Sequence, residues 1–438
     1  MTWLDSLPRW ATLAALAVTA VATIARGAWP SPAESLVLTA SVALVYGALR
    51  RDAPAQRLAC AALWVGVLAV LGLVTPRQNV GADFWFFWDG AELLFGRRQS
   101  PYALGSTAFP FPTFLLVRGL SLGGRLGAEP TLGLFTALSL GGLLVSVPLM
   151  RRVVRAEVGR EPDRARSLLQ AGLILHPAVL AGIAIGQSVA LAGALVVLAL
   201  WLWRCSSGRW ALHAAALSLN LAWMLKPQLL PAAGFFVAAW LLDGSRGRAR
   251  GRAAGIGRVL LPWALVLTVV PLGIAFPGHV LAFRDFPAVA AAAHTVIAET
   301  FVNNYAPSAI LAKTLARFTG VAVGLSLPLL AAGIAALVVG WNLVSLVRAR
   351  AESLRAFLPW IYATFLWSSI VWELYLALAL AGLMLLIGLQ GERGRAPTAA
   401  AALEIALALG ATTVLTTFAF TAGVLLLYFH SHAMVARE

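Results

Sequence analysis

Apolar residues in this chain come in blocks, separated by short segments rich in arginine, glycine and proline. The blocks are roughly 17–22 residues long, the length that crosses about 30 Å of hydrocarbon as an α-helix. Lipid offers backbone groups no hydrogen-bond partner, so the blocks are expected to be helices. A transmembrane β-barrel would alternate apolar and polar residues in runs of about ten, a pattern not found here. The spacing predicts membrane helices at about 9–26, 33–49, 58–75, 131–150, 167–184, 187–204, 210–225, 227–242, 259–276, 319–347, 356–371, 373–390 and 399–428. Loops near 185, 226 and 372 are almost absent, and 399–428 is long for one span, so it is expected to be tilted or broken. The expected fold is an all-α polytopic membrane protein, a bundle of about 11–13 transmembrane helices.

Composition agrees. Of 438 residues, 60% are hydrophobic and 12% charged, about half the charge of a soluble domain. A net charge of +15 would suit nucleic acid, but the arginines sit in short loops between apolar blocks, and nucleic acid is excluded as a partner. With the N-terminus in the cytoplasm, the segments that alternate onto that side hold 22 of the 33 basic residues and 8 of the 18 acidic ones. That asymmetry is the positive-inside pattern of a multi-pass protein of the cell membrane. Arg9 and the apolar stretch after it form the first membrane helix, because no small-residue cleavage site followed by a soluble domain appears. Cys60 and Cys205 give neither a metal spacing nor a disulfide framework.

The organisation that follows is N-terminal helices over 1–75, a long segment over 76–130, a helix bundle over 131–276, a second long segment over 277–318 and C-terminal helices over 319–438. Both long segments fall outside the cytoplasm. The first mixes aromatics with prolines and glycines, which argues against disorder and for short interfacial helices.

Charged groups at membrane depth are costly and are candidates for function. Asp83, Asp89 and Glu92 lie in Ala-Asp-Phe-Trp-Phe-Phe-Trp-Asp-Gly-Ala-Glu, residues 82–92. Asp83, flanked by five aromatics, reads as a carboxylate at the lipid–water boundary, where desolvation raises its pKa toward that of a general base. Asp89 and Glu92 also suit the first turns of an interfacial helix. Lys226, in Met-Leu-Lys-Pro, is either a snorkelling lysine or the partner of a phosphate. Gln187, in Gly-Gln-Ser, can bond a sugar or a neighbouring helix. Asn303, Asn304 and Tyr305 precede a helix bearing Lys313 and Arg317, where Asn304 can serve as an N-cap. Trp372 and Glu373 occupy another outer turn. His176 reads as a packed histidine. No His/Asp/Glu spacing suits a metal, and no phosphate-cradling loop occurs. Alternation alone puts Asp83, Gln187, Lys226, Asn303 and Glu373, from five connections, on one side of the membrane.

These elements, in order, resemble glycosyltransferase family 87 of the membrane GT-C superfamily, whose members include polyprenol-phosphate-mannose-dependent α-1,2-mannosyltransferases. The resemblance covers about 80–390. It rests on the aspartate–aromatic run Asp83–Ala91, Gly96, Pro101-Tyr102, Phe109-Pro110-Phe111-Pro112, His176-Pro177 about ten residues before Gly186-Gln187, Lys226-Pro227, and Asn303–Ser308. The chain departs from the family pattern at Thr113, at Ser188, and at Trp372-Glu373-Leu374-Tyr375, where a usual histidine is missing. Two extra N-terminal helices precede the family's first, an even number that preserves topology.

The resemblance implies a GT-C-like bundle that transfers a hexose, mannose in the best-known members, from a polyprenyl-phosphate-linked sugar donor to a lipid or glycan acceptor on the extracytoplasmic side. Asp83 would be the general base. Lys226, with Arg284 or Arg317 in reserve, would steady the leaving phosphate. Asp89, Gln187, Asn303, Asn304, Trp372, Glu373 and Tyr375 would hold sugar or acceptor. Inversion is expected, with no cofactor and no metal ion. The competing reading is a polytopic transporter or lipid flippase, which would show inverted repeats and broken helices near the midplane. A scaffold without activity leaves the external acids and lysine unexplained.

Overall fold

The computed structural model describes residues 53–74, 80–102, 111–245, 251–275, 304–348, 352–389 and 417–435, with short stretches within 40–49 and 288–297. The helices expected at 9–26 and over much of 33–49 lie outside the described residues, as do Arg284 and Asn303. Every regular element among the described residues is helical. In chain order they are α1 (Pro54–Val74), α2 (Ala82–Ala91), α3 (Phe111–Leu120), α4 (Ala128–Val158), α5 (Arg164–Gly172), α6 (Pro177–Ala184), α7 (Val189–Cys205) and α8 (Arg209–Leu225). There follow α9 (Leu230–Ser245), α10 (Arg252–Ala275), α11 (Pro307–Thr319), α12 (Val323–Arg348), α13 (Leu354–Leu366), α14 (Leu380–Leu389) and α15 (Thr417–Val435).

Among the described residues, five segments are long and apolar enough to span a bilayer: Pro54–Leu71, Ala128–Val158, Arg164–Ala184, Arg252–Val269 and Val323–Arg348. Their outward faces carry large apolar side chains at helical spacing. Examples are Leu63 and Val70 on α1, Leu134, Leu138 and Val145 on α4, Leu261, Leu265 and Val269 on α10, and Leu325, Leu329 and Leu337 on α12. A water-exposed protein does not present so broad an apolar surface; lipid makes it favourable. The chain is therefore an all-α polytopic membrane protein. Inside, α4, α7, α8, α9, α10 and α13 pack through small residues, among them Ala190, Ala192, Ala199, Ala215 and Ala239, and around Trp203, Phe235, Phe236 and Phe357.

One end of the bundle is tied by arginines. Arg57 and Arg166 share Asp163 at 3.1 and 2.7 Å, and Arg151 and Arg155 reach Glu161. Arg204 pairs with Glu157 and donates to the Glu352 carbonyl. Glu157 accepts from Leu354 N–H, and Glu352 from Ala253 N–H and the Trp203 indole. These bonds join the ends of α1, α4, α5, α7, α10 and α13 that the charge count assigns to the cytoplasm.

Three expected helices depart from prediction. The block at 167–184 is broken: α5 gives way to a 3-10 turn at Leu173–Leu175, and His176 is extended before Pro177 opens α6. A residue preceding proline avoids the helical region, and His176 Nδ1 caps the new helix by accepting from Ala178 N–H at 3.2 Å. The block at 356–371 stops at Leu366, only about 20 Å of helix. Its remainder leaves the helix, and the next block starts as a 3-10 segment, Glu373–Ala379, before α14. The last block, 399–428, is expected to be tilted or broken; its described part, α15, runs on to Val435, parallel to α12. Thr421 Oγ1 donates to the Tyr305 carbonyl (2.9 Å), Tyr428 Oη to Asn342 Oδ1 (2.8 Å), and Ser345 Oγ lies 2.6 Å from His432 Nδ1. No charged residue occurs between Glu404 and Arg437, so hydropathy gives no mark of where α15 starts.

The 3-10 segment Glu373–Ala379 is driven between α6 and α7. At Gly193 on α7, an added methyl group would press into the Ala377 carbonyl, which is backbone and has no side-chain freedom. At Gly66 on α1 a methyl would meet nothing within 4 Å. Gly193→Ala is expected to destabilise the purified protein by about 1–3 kcal/mol, read as a lower unfolding temperature in detergent, while Gly66→Ala leaves it unchanged or slightly higher. Equal behaviour of the two variants would contradict this crossing.

Candidate functional site

At the end of the bundle away from the arginine network, five connections meet. The meeting starts at Gly81, which takes φ 76° and opens α2. The first N–H groups of a helix have no partner within it. Here two of them are bonded by the end of α6: Gly81 N–H donates to Ala184 O (2.8 Å) and Asp83 N–H to Ile185 O (2.9 Å). The chain then turns at Gly186, φ 75°, so close to α2 that a Cβ there would lie 2.6 Å from Phe84 Cβ. Only glycine suits both constraints. This turn directs the next residue, Gln187, back onto α2, and its Nε2 donates to Asp83 Oδ2.

Gln187 is fully buried, and its Oε1 has no hydrogen-bond partner among the described residues. The neighbouring Ser188 Oγ reaches the Leu225 carbonyl at 3.5 Å, the outer limit of a hydrogen bond. That brings in the third connection. Lys226 ends α8 in extended conformation, 3% exposed, with Nζ 5.2 Å from the centroid of the Tyr375 ring, a cation–π distance. Tyr375 belongs to the 3-10 segment, and its ring lies 5.8 Å from that of Trp372. The Trp367 indole donates to the Gln228 carbonyl (2.8 Å), closing the fourth connection onto the third.

Asn304 supplies the fifth. Its Nδ2 donates to Ser369 O (2.9 Å), and its Oδ1 accepts from Ala306 N–H and Val371 N–H. Tyr305 N–H donates to Val371 O. The unwound stretch after α13 thus finds in Asn304 the partners its missing helical turn would have given.

Above this floor, α2 and α3 form an aromatic roof. Phe84 and Phe87 turn inward onto Phe135 of α4, while Trp85 and Phe86 stay exposed. Gly90 allows the Phe114 ring to close on α2, and Glu92 pairs with Arg118 at 3.2 Å.

The expected site residues therefore separate. Asp83, Gln187, Lys226, Trp372 and Tyr375 come together, and the backbone of Glu373 lies between the last two. Asn304 is buried in the same region, but its amide is committed to the 369–371 backbone, so it reads as a latch and not as a sugar ligand. Asp89 is exposed on α2, and Arg317 is exposed in the last turn of α11; nothing in the structure ties either to Asp83. Glu92 is an ion-pair partner and His176 a helix cap. Sequence reasoning missed Ser188, Trp367 and Gln228 as fasteners. Gly186, directly before Gln187, is the sequence signal that could have shown the close approach.

Burial pushes the Asp83 carboxyl above its ordinary value, against the opposing pull of Lys226 and of the Gln187 hydrogen bond. Burial lowers the Lys226 ammonium, and Asp83 opposes that shift. One Asp83 oxygen is held by the amide. The arrangement can accept a proton from a hydroxyl and present a positive charge to an anion. Among the described residues no group of three or more His, Cys, Asp or Glu could hold a metal ion.

No protein-family model, no curated protein and no solved structure matches this chain.

Because Lys226 and Gln187 both lower the Asp83 pKa, Lys226→Met and Gln187→Leu should each move its titration to higher pH, Lys226→Met further. The carboxyl stretch lost in Asp83→Asn identifies the group by infrared difference titration. An unmoved or downward-shifted titration in Lys226→Met would contradict the electrostatic coupling.

Proposed function

We propose that this protein is an integral membrane glycosyltransferase that moves a hexose from a polyprenyl-phosphate donor to a lipid or glycan acceptor, at the extracytoplasmic face of the cell membrane. The observation that carries the reading is the meeting of a half-buried acid, Asp83, with a buried amide and a buried lysine, under an aromatic interfacial helix and opposite the arginine-tied end. A lipid-borne substrate needs a site at this depth.

In the proposed reaction the acceptor oxygen attacks the anomeric carbon and gives its proton to Asp83. The anomeric C–O bond breaks, and its electron pair leaves with the polyprenyl phosphate. Lys226 offsets the charge on that phosphate. A single carboxylate base with a good leaving group supports inversion in one displacement. Gln187 holds the carboxylate in place; Tyr375 and Trp372 line the site beside Lys226. The GT-C-like arrangement and mannose as the hexose rest on the resemblance of the motifs.

The transporter reading draws on one observation, the breaks at His176-Pro177 and at 367–379, since discontinuous helices are a transporter feature. Against it, the acid and the lysine lie at one end of the bundle.

The test is transfer of radiolabel from polyprenyl-phosphate-mannose, and then from other polyprenyl-phosphate hexoses, into lipid or glycan acceptors. Asp83→Asn, inserted and expressed as wild type, should lose about 10²–10⁴-fold in transfer, the range for loss of a general base. Retained turnover overturns Asp83 as the base. Wild-type protein that transfers no hexose but moves a solute or lipid in proteoliposomes establishes the transporter.

A further inference from the structure

Lys226 and Asp83 are both drawn out of water, and each supports the other's charge. Opposite charges attract strongly where water is scarce, and left to themselves they close into a contact ion pair. Such a pair would tie the carboxylate to the lysine, and neither group would then serve a substrate. Keeping both in use requires a second attraction on the ammonium.

The ring of Tyr375 supplies one. Lys226 Nζ lies 5.2 Å from its centroid, within the range where an aromatic face attracts a cation, and the attraction grows on desolvation. Lys226 is 3% exposed and Tyr375 5%. Both are anchored through their backbones. Lys226 N–H donates to Ala222 O (3.0 Å), and its carbonyl accepts from Leu229 N–H (2.9 Å). Tyr375 N–H donates to Trp372 O (2.9 Å), and two residues further on the Ala377 carbonyl faces Gly193 of α7 at close range. The Trp372 ring, 5.8 Å away, flanks that of Tyr375. The wedging of the 3-10 segment between α6 and α7 thus fixes where the ring stands. Tyr375 is also within electrostatic reach of Asp83, so acid, ammonium and ring form one cluster. A ring attracts the ammonium without neutralising it, which a second carboxylate could not do.

We propose that Tyr375 is a positioning residue for Lys226: its ring competes with Asp83 for the ammonium and so keeps acid and cation separately available, the one to a hydroxyl and the other to a phosphate. The proposal rests on the roles given above to Asp83 and Lys226. It gives Tyr375 a part that acts through the lysine and needs no contact with sugar.

The groups that bear on Asp83 are Lys226, Gln187 and Tyr375, and its infrared titration reads where the ammonium sits. Tyr375→Leu removes the ring. The ammonium then moves toward Asp83 and favours the ionised carboxyl, so the titration should fall by about half to one pH unit. That is opposite to the shift expected of Lys226→Met. Tyr375→Phe keeps the ring and should titrate close to wild type. Water entering in place of the ring would also lower the titration, so Tyr375→Leu is repeated on Lys226→Met. There it should have no effect, because no ammonium remains to move. Tyr375→Met, which keeps bulk without a ring, replaces Tyr375→Leu if that variant does not insert. A wild-type titration in Tyr375→Leu overturns the proposal. So does the same fall with Lys226→Met present, or a Tyr375→Phe variant that titrates as Tyr375→Leu. The titration needs no substrate, so its outcome is separate from that of the transfer assay, which alone decides the reaction.

Discussion

In hydrocarbon every backbone N–H and C=O must find its partner inside the protein, and the rest of this structure depends on that constraint. Continuous helices meet it unaided. Where the chain leaves the helix at depth, something else must supply the bonds. At the end of α6, carbonyls 184 and 185 accept from the first turn of α2. After α13, the side chain of Asn304 and the Tyr305 N–H serve the stretch 369–371. The groups released by unwinding thus become the fasteners that gather five connections at one end. The polar site is a consequence of how the backbone was satisfied.

The same dryness gives the site its electrostatic character. Asp83 and Lys226 each lose water on burial, and each is disfavoured in its charged form. Each also supports the other's charge, and Gln187 adds a hydrogen bond to one carboxylate oxygen. A carboxylate whose proton affinity is raised by burial suits proton transfer. The other end of the bundle is organised differently: there, paired arginines and carboxylates fix helix ends.

Much of this could be read from sequence because a helix in lipid needs only length and apolarity. The positions of α1, α7, α8, α9 and α12 follow from the apolar blocks to within a few residues, while α4 ends eight residues later and α10 starts seven residues earlier than its block; alternation alone puts Asp83, Gln187 and Lys226 on one side. Three features escaped for physical reasons. Pro177 breaks its helix, while Pro148, Pro328 and Pro359 sit inside theirs; the difference is the cap that His176 provides, which is a matter of side-chain geometry. The unwinding after Leu366 is compensated by Asn304, some sixty residues away, so no local pattern marks it. The bounds of α15 are hidden by an uninterrupted apolar run. At the site, hydropathy offers no reason to separate Asp83 from Asp89, and the difference lies in which of them meets Gln187.

The central claim is that the acid–lysine end faces away from the cytoplasm. The most direct measurement is sidedness in intact cells, with Cys60 and Cys205 replaced by serine and one cysteine introduced either at Gln99, exposed beside the aromatic roof, or at Ala156, exposed near the arginine-tied end. A membrane-impermeant maleimide should label the cysteine at 99 in intact cells and the one at 156 only after permeabilisation. Labelling at 156 in intact cells, with 99 protected until the membrane is opened, would place the site in the cytoplasm and contradict the account.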